Sequence, residues 1–206
     1  PPPRAASLAD HRILVIDSHP AAELDDEIRA AIGDLAGRLE ALGAQVSRGG
    51  ELLPDLAAQH EVYMGLLNTT ITRGAPGAQP INAHEWMALL DGQIAFRRRW
   101  AELFEHVDVV LAPTFGIPAF PHDDAPERER VHVVNGKPTP YFAQIAWPGI
   151  ALLPNLPATA CPIGLTRGGL PMSVQVIGPY LEDRTTIAFA GLLEREFGGF
   201  VAPPTI

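Results

Sequence analysis

Arg12-Ile13-Leu14-Val15-Ile16-Asp17 is a continuous apolar run closed by an acid, the pattern of a strand buried on both faces. Beyond it, Pro20 suits a first helical position, where its missing N–H would have no partner anyway. Leu24, Ile28, Ile32, Leu35, Leu39 and Leu42 recur at steps of three and four and so share one helix face. Gly43 predicts the stop, since it takes a left-handed backbone without a Cβ clash. Ala44-Gln45-Val46-Ser47 reads as a second strand. Strand, helix and strand within the first fifty residues predict a β-α-β unit in a parallel sheet, joined right-handedly. Residues 1–11, polar and proline-rich, read as a leader or linker.

Working outward, residues 52–72 predict a weakly patterned helix, and residues 73–80 a loop by their glycine and proline content. Asn82 with Glu85 three positions on predicts a capping box. The helix it opens carries an apolar stripe through Trp86, Leu89, Leu90, Ile94, Trp100, Leu103 and Phe104. Arg97-Arg98-Arg99 point in different directions around its axis and read as a surface charge run with one inward arginine. Residues 107–111 predict another buried strand, stopped by Pro113, which cannot donate to a ladder. Residues 113–179 hold more than half of the 21 prolines and predict a loop-rich layer, the usual place for binding surfaces. Within that layer, residues 158–163 and 172–177 read as strands joined through residues 166–171. Asp183 predicts the cap of a last helix bearing Ile187, Ala190, Leu193 and Phe197, which Gly198-Gly199 stops. The sum is an α/β fold, a mixed, largely parallel sheet flanked by helices, as a single domain over residues 12–206.

Among 206 residues the net charge is −9, which argues against a generally basic nucleic-acid binder and against an anionic membrane surface as partner. A lone cysteine, Cys161, excludes an internal disulfide framework and a thiolate zinc cluster. No stretch approaches the roughly 20 apolar residues of a bilayer span, and no signal peptide is visible, so a soluble cytoplasmic protein is expected. The chain opens Pro1-Pro2-Pro3 without a methionine, which reads as a start partway through a longer protein.

His122-Asp123-Asp124 with His132 is the best metal-ligand cluster, but it lacks the HExxH spacing that fixes ligands on a helix and reads as a solvated loop. No glycine-rich phosphate loop is present, so no cofactor is expected. There is no GxSxG elbow, and Ser7, Ser18, Ser47 and Ser173 lie singly. Cys161 stands mid-strand in an apolar run, where burial raises a thiol pKa and keeps it inert. The run ending in Asp17 resembles the first strand of response-regulator receiver domains. Ser18, however, stands where a second acid would be needed to hold Mg²⁺.

Three ordered segments carry a more specific resemblance. Val107-Asp108-Val109-Val110-Leu111-Ala112-Pro113-Thr114 is similar to the D-V-L-L-x-P-T strand of the amidase signature family. Leu156-Pro157-Ala158-Thr159-Ala160-Cys161-Pro162-Ile163-Gly164 resembles its L-P-A-x-x-x-P-x-G segment, and Gly169-Leu170-Pro171-Met172-Ser173-Val174-Gln175-Val176-Ile177-Gly178-Pro179 its G-L-P-x-G-x-Q-x-x-G-P. The β-α-β start fits the same family more loosely. Asn155 stands where the family has Gly, a substitution that a left-handed backbone tolerates. Ser173 likewise replaces a Gly and adds a side chain to a strand.

The resemblance implies hydrolysis of carboxamides by a Ser-Ser-Lys triad whose serines lie in a Gly/Ser-rich loop. No residue of this chain matches that loop or its lysine. The only lysine, Lys137, sits in Asn135-Gly136-Lys137-Pro138, a wet turn with nothing to depress an amine pKa. The chain thus looks like the C-terminal part of an amidase, with no catalytic residue of its own and inactive alone. Its partners would be a small amide substrate and the N-terminal amidase portion, with self-association of a piece left uncovered. Thr114 and Phe115 lie just past a strand's C-terminal end, where open α/β sheets place ligands. Tyr141, Trp147 and Asn155 follow in the proline-rich layer. These five are the candidate substrate-pocket residues, with core packing the alternative for the aromatics. The other functional reading is a non-catalytic binding module on the same scaffold.

Overall fold

The computed structural model describes residues 1–127 and 129–202. The expected β-α-β unit forms from β1 (Arg12–Val15), α1 (Asp26–Ala41) and β2 (Gln45–Arg48), with β1 and β2 parallel and Ile13 opposite Val46. Gly43, at φ +103°, turns the chain out of the helix. The helix does not begin at Pro20. Asp25 caps it, its carboxylate accepting from the N–H of Glu27, and residues 17–25 are a loop. The apolar repeat marks the inner face but not the first turn, which the cap decides.

Two more helices follow, α2 (Leu56–Ile71), capped by Asp55, and the longer α3 (Ala83–Leu103), where Asn82 and Glu85 form the expected capping box. Next come β3 (Val109–Pro113), a hairpin of β4 (Val131–Val134) and β5 (Lys137–Pro140), α4 (Ala146–Leu152), β6 (Ala158–Leu165), β7 (Pro171–Ile177) and α5 (Asp183–Phe197). Pro113 does not stop short of the ladder; it is the last residue of β3, opposite Val174. Asp183 is the first helical residue of α5 rather than its cap, a place held by Glu182. The proline-rich layer holds more regular structure than its composition suggested, in the β4–β5 hairpin and α4.

The five-stranded sheet runs β2-β1-β3-β7-β6, parallel from β2 to β3 and antiparallel from β3 to β6. On one face Thr159 of β6 donates to Thr186 of α5, and α1 meets α5 where the Arg38 guanidinium lies 3.9 Å over the Phe197 ring. On the other, Gln175 of β7 donates to the carbonyl of Trp147 in α4, because adjacent strand residues point to opposite faces. Behind α4 lie α2 and α3. Trp100 Nε1 donates to Gln59 Oε1 at 2.7 Å, and Gln59 Nε2 donates to the carbonyl of Ile150 at 3.0 Å, tying α3, α2 and α4 together through one buried amide. Leaving such a group unpaired would cost about 1–3 kcal/mol.

Residues 1–11 lie against this body: Leu8 and His11 are buried, and Arg4 donates to Glu182 and to the carbonyls of Phe104 and Val107. Asp108, just before β3, accepts from the Arg12 backbone N–H and guanidinium. Burial alone would raise the Asp108 carboxyl, but the bonds from Arg12, with the nearby Arg4 charge, hold it below the usual range.

Candidate functional site

β1 and β3 end side by side, with the N–H of Ile16 donating to Leu111 O at 2.8 Å. Past their C-terminal ends run the loop 17–25 and the segment Thr114-Phe115-Gly116, the position at which open α/β sheets present residues to ligands. Asp25 N donates to Gly116 O at 2.8 Å, so the two segments are stitched together. Glu23 O accepts from Gln144 Nε2 at 3.1 Å and from Trp147 Nε1 at 3.4 Å. Asn135, at the tip of the β4–β5 hairpin with φ +51°, donates to Leu24 O and accepts from Asp26 N. The loop before α1 is therefore held from the hairpin, from β3 and from α4. A cleft of about 500 Å³ lies between this loop and residues 137–143.

At this end of the sheet, Thr114 Oγ1 and Ser173 Oγ lie 2.5 Å apart, bonded to each other across β3 and β7 and both half-buried. Neither has a carboxylate, imidazole or amine as hydrogen-bond partner among the described residues. Gln175, two residues further along β7 on the same face, donates to Pro113 O and Trp147 O at 2.9 Å each. It locks the end of β3 to α4. Phe115 is half-buried beside Gly116. Trp147 is wholly buried, with His19 stacked edge-on at 5.6 Å and His60 of α2 a further 5.8 Å from His19. Burial, with the neighbouring His60, lowers the His19 pKa to about 4, and burial lowers His60 against the opposing pull of Glu61. Both imidazoles are therefore neutral at neutral pH.

Thr114, Phe115 and Trp147 come together here. Tyr141 stands in the 3₁₀ turn that follows the hairpin (Tyr141–Ile145), in an aromatic group with Phe120, His132 and Phe142. Asn155 lies at the other end of the sheet, just before Ala158, which pairs with Ile177 and so with the start of β3. Its φ of +54° is the left-handed conformation its residue type suggested. Gln144, Gln175, His19 and His60 complete the arrangement without having been singled out. Gln175 carried a signal, an amide set between two valines in an apolar strand.

Neither remaining nucleophile or base candidate is a hydrogen-bond partner of the hydroxyl pair. Cys161 is buried, and burial together with the Glu194 charge pushes its thiol up to about 11. Lys137 is exposed, its ammonium 3.3 Å from the Glu23 carboxylate. Among the described residues no three His, Cys, Asp or Glu side chains gather closely enough to hold a metal ion, and no helix is long and apolar enough to cross a membrane.

A model of the family described as Amidase matches residues 64–187. The chain is 43% identical to the fatty-acid amide hydrolase 2 of Homo sapiens over 58 residues, 28% of this chain and 11% of that protein. It is 30% identical to one subunit of the glutamyl-tRNA(Gln) amidotransferase of Wolbachia sp. subsp. Drosophila simulans (strain wRi) over 109 residues, 52% of this chain and 20% of that protein. A solved bacterial aryl acylamidase, described as one of the amidase signature enzymes, superposes with a TM-score of 0.72 at 19% identity. That likeness, which shows the fold, covers 94% of this chain and 45% of the acylamidase, so the chain spans under half the length of that relative.

Proposed function

The chain belongs to the amidase signature family, and from that premise we propose that it is the C-terminal part of an enzyme that hydrolyses carboxamide C–N bonds to an acid and ammonia or an amine. In this reading it works in the cytoplasm, where its single cysteine stays reduced. Its share of the enzyme is scaffold and one wall of the substrate pocket, built from Thr114, Phe115 and Ser173 at the strand ends. The N-terminal portion supplies the nucleophile, its base and the oxyanion donors.

One observation carries this reading. The two hydroxyls at the ends of β3 and β7 bond each other and have no base beside them. A hydroxyl without a base is a poor nucleophile at neutral pH. Proteases stripped of their triad still keep about 10³–10⁴-fold catalysis, but through an intact oxyanion hole and binding site. This chain lacks a counterpart of the family's Gly/Ser loop, so turnover by it alone is expected to be nil.

The partner proposed is that N-terminal portion. The test is the reading frame upstream of Pro1 together with an amide assay. A frame encoding a lysine and then a Gly/Ser-rich loop, and no hydrolysis of simple amides by the purified chain, support the reading. A start codon immediately before Pro1 supports the binding-module alternative instead. Hydrolysis by the chain alone, once contaminating activity is excluded, overturns the division of labour.

A further inference from the structure

Thr114, Ser173 and Pro162 form a row across the end of the sheet, since Pro113 pairs with Val174 and Pro162 with Ser173. Ser173 shares its face with Gln175, the face that α4 covers further in. On β6 the same face carries Ala158, Ala160 and Pro162, all exposed. The hydroxyl pair therefore closes one end of an open shelf of small apolar side chains. Two hydroxyls bring two protons. One lies between the oxygens at 2.5 Å, and the other has no acceptor among the described residues.

We infer that this second O–H anchors a neutral carbonyl oxygen on the acyl part of the substrate, so that the site favours amides bearing a second carbonyl over plain alkyl amides. The shelf gives the intervening methylenes a flat apolar bed, and the half-buried pair supplies the single polar contact that fixes where the far end lies. A neutral acceptor is specified because a net charge of −9 works against drawing in a carboxylate. This inference rests on the amidase reading for its choice of ligand, but its test requires no turnover and so fails or succeeds separately from that reading.

The test titrates the ¹⁵N-labelled chain with succinamide and, separately, with butyramide, which lacks the second carbonyl. Amide shifts centred on residues 114–115 and 172–174 are expected with succinamide, at an affinity about three- to tenfold above butyramide, the worth of one hydrogen bond. The double variant Thr114→Val/Ser173→Ala, with the rest of its spectrum in place, is expected to bring succinamide down to the butyramide level, whereas either single variant leaves one O–H free to donate and keeps part of the preference. The absence of shifts at these residues, or equal shifts in the wild type and the double variant, overturns the anchor and leaves the pair a cross-strand hydrogen bond like others in sheets.

Discussion

His19 accepts a hydrogen bond on Nδ1 from the N–H of Ala21 and is packed against Trp147 and His60. Its neutral ring therefore belongs to the fold of the loop 17–25. An ordinary histidine titrates near 6.5 and this one near 4. Above pH 6.5 neither the folded nor the unfolded chain holds the proton, and the loop keeps its full stability. As pH falls from about 6.5 towards 4, the unfolded chain takes up a proton that the folded chain refuses, and stability drops; below about 4 the loss is complete. At about 1.4 kcal/mol per pH unit the ceiling is about 3 kcal/mol, and His60, lowered in the same sense, adds to it. Urea denaturation is predicted to show lower stability at pH 5 than at pH 7, with the difference reduced in His19→Gln. Equal stability at the two pH values would show that the ring is not held neutral.

At the scale of elements, the joint between the loop 17–25 and β3 turns on Gly116. A Cβ there would be driven into Gln144 Oε1, Trp147 Nε1 and the carbonyl of Glu23, two of them parts of the contacts that hold the loop. Gly116→Ala is predicted to destabilise by about 1–3 kcal/mol, the usual range for overpacking. It should also shift the amide resonances of residues 19–25. An unchanged denaturation midpoint would mean that the joint is looser than described. The sequence made strands and helices legible where one face had to be buried, as in β1, α1, β3, β6 and β7. It left the loop 17–25 unread, because Pro20 suits a helix start and the contacts from Asn135, Gln144 and Gly116 that hold the loop lie far off in sequence. The β4–β5 hairpin went unread because Pro138 and Pro140 argue against a strand, although Asn135-Gly136 is a strong turn signal. Of the candidate site, Thr114 and Phe115 were legible from the strand end they follow. The separation of Tyr141 and Asn155 from them depends on how the chain returns through α4, which local pattern does not encode.

At the scale of the molecule, the helical pair α2–α3 is only partly covered. Met87 and Ile94, seven residues apart on one face of α3, are 60% and 44% exposed, and Ile71 at the end of α2 is 58% exposed. Leu165 at the end of β6, the outermost strand of the sheet described, is 64% exposed. Under the proposed reading the N-terminal portion of the enzyme covers such surface, and the chain without it associates with itself. Sedimentation velocity is predicted to show concentration-dependent oligomers that Met87→Glu combined with Ile94→Glu diminishes. A monodisperse monomer at every concentration would mark a self-sufficient domain. The central claim, that no attacking group here is activated, is tested most directly by intact mass after incubation with an organophosphonyl fluoride, which modifies serine and threonine hydroxyls only where a base has made them nucleophilic. The account predicts the mass of the unmodified chain. A single stoichiometric phosphonyl adduct, at Thr114, Ser173 or any other hydroxyl, would contradict it.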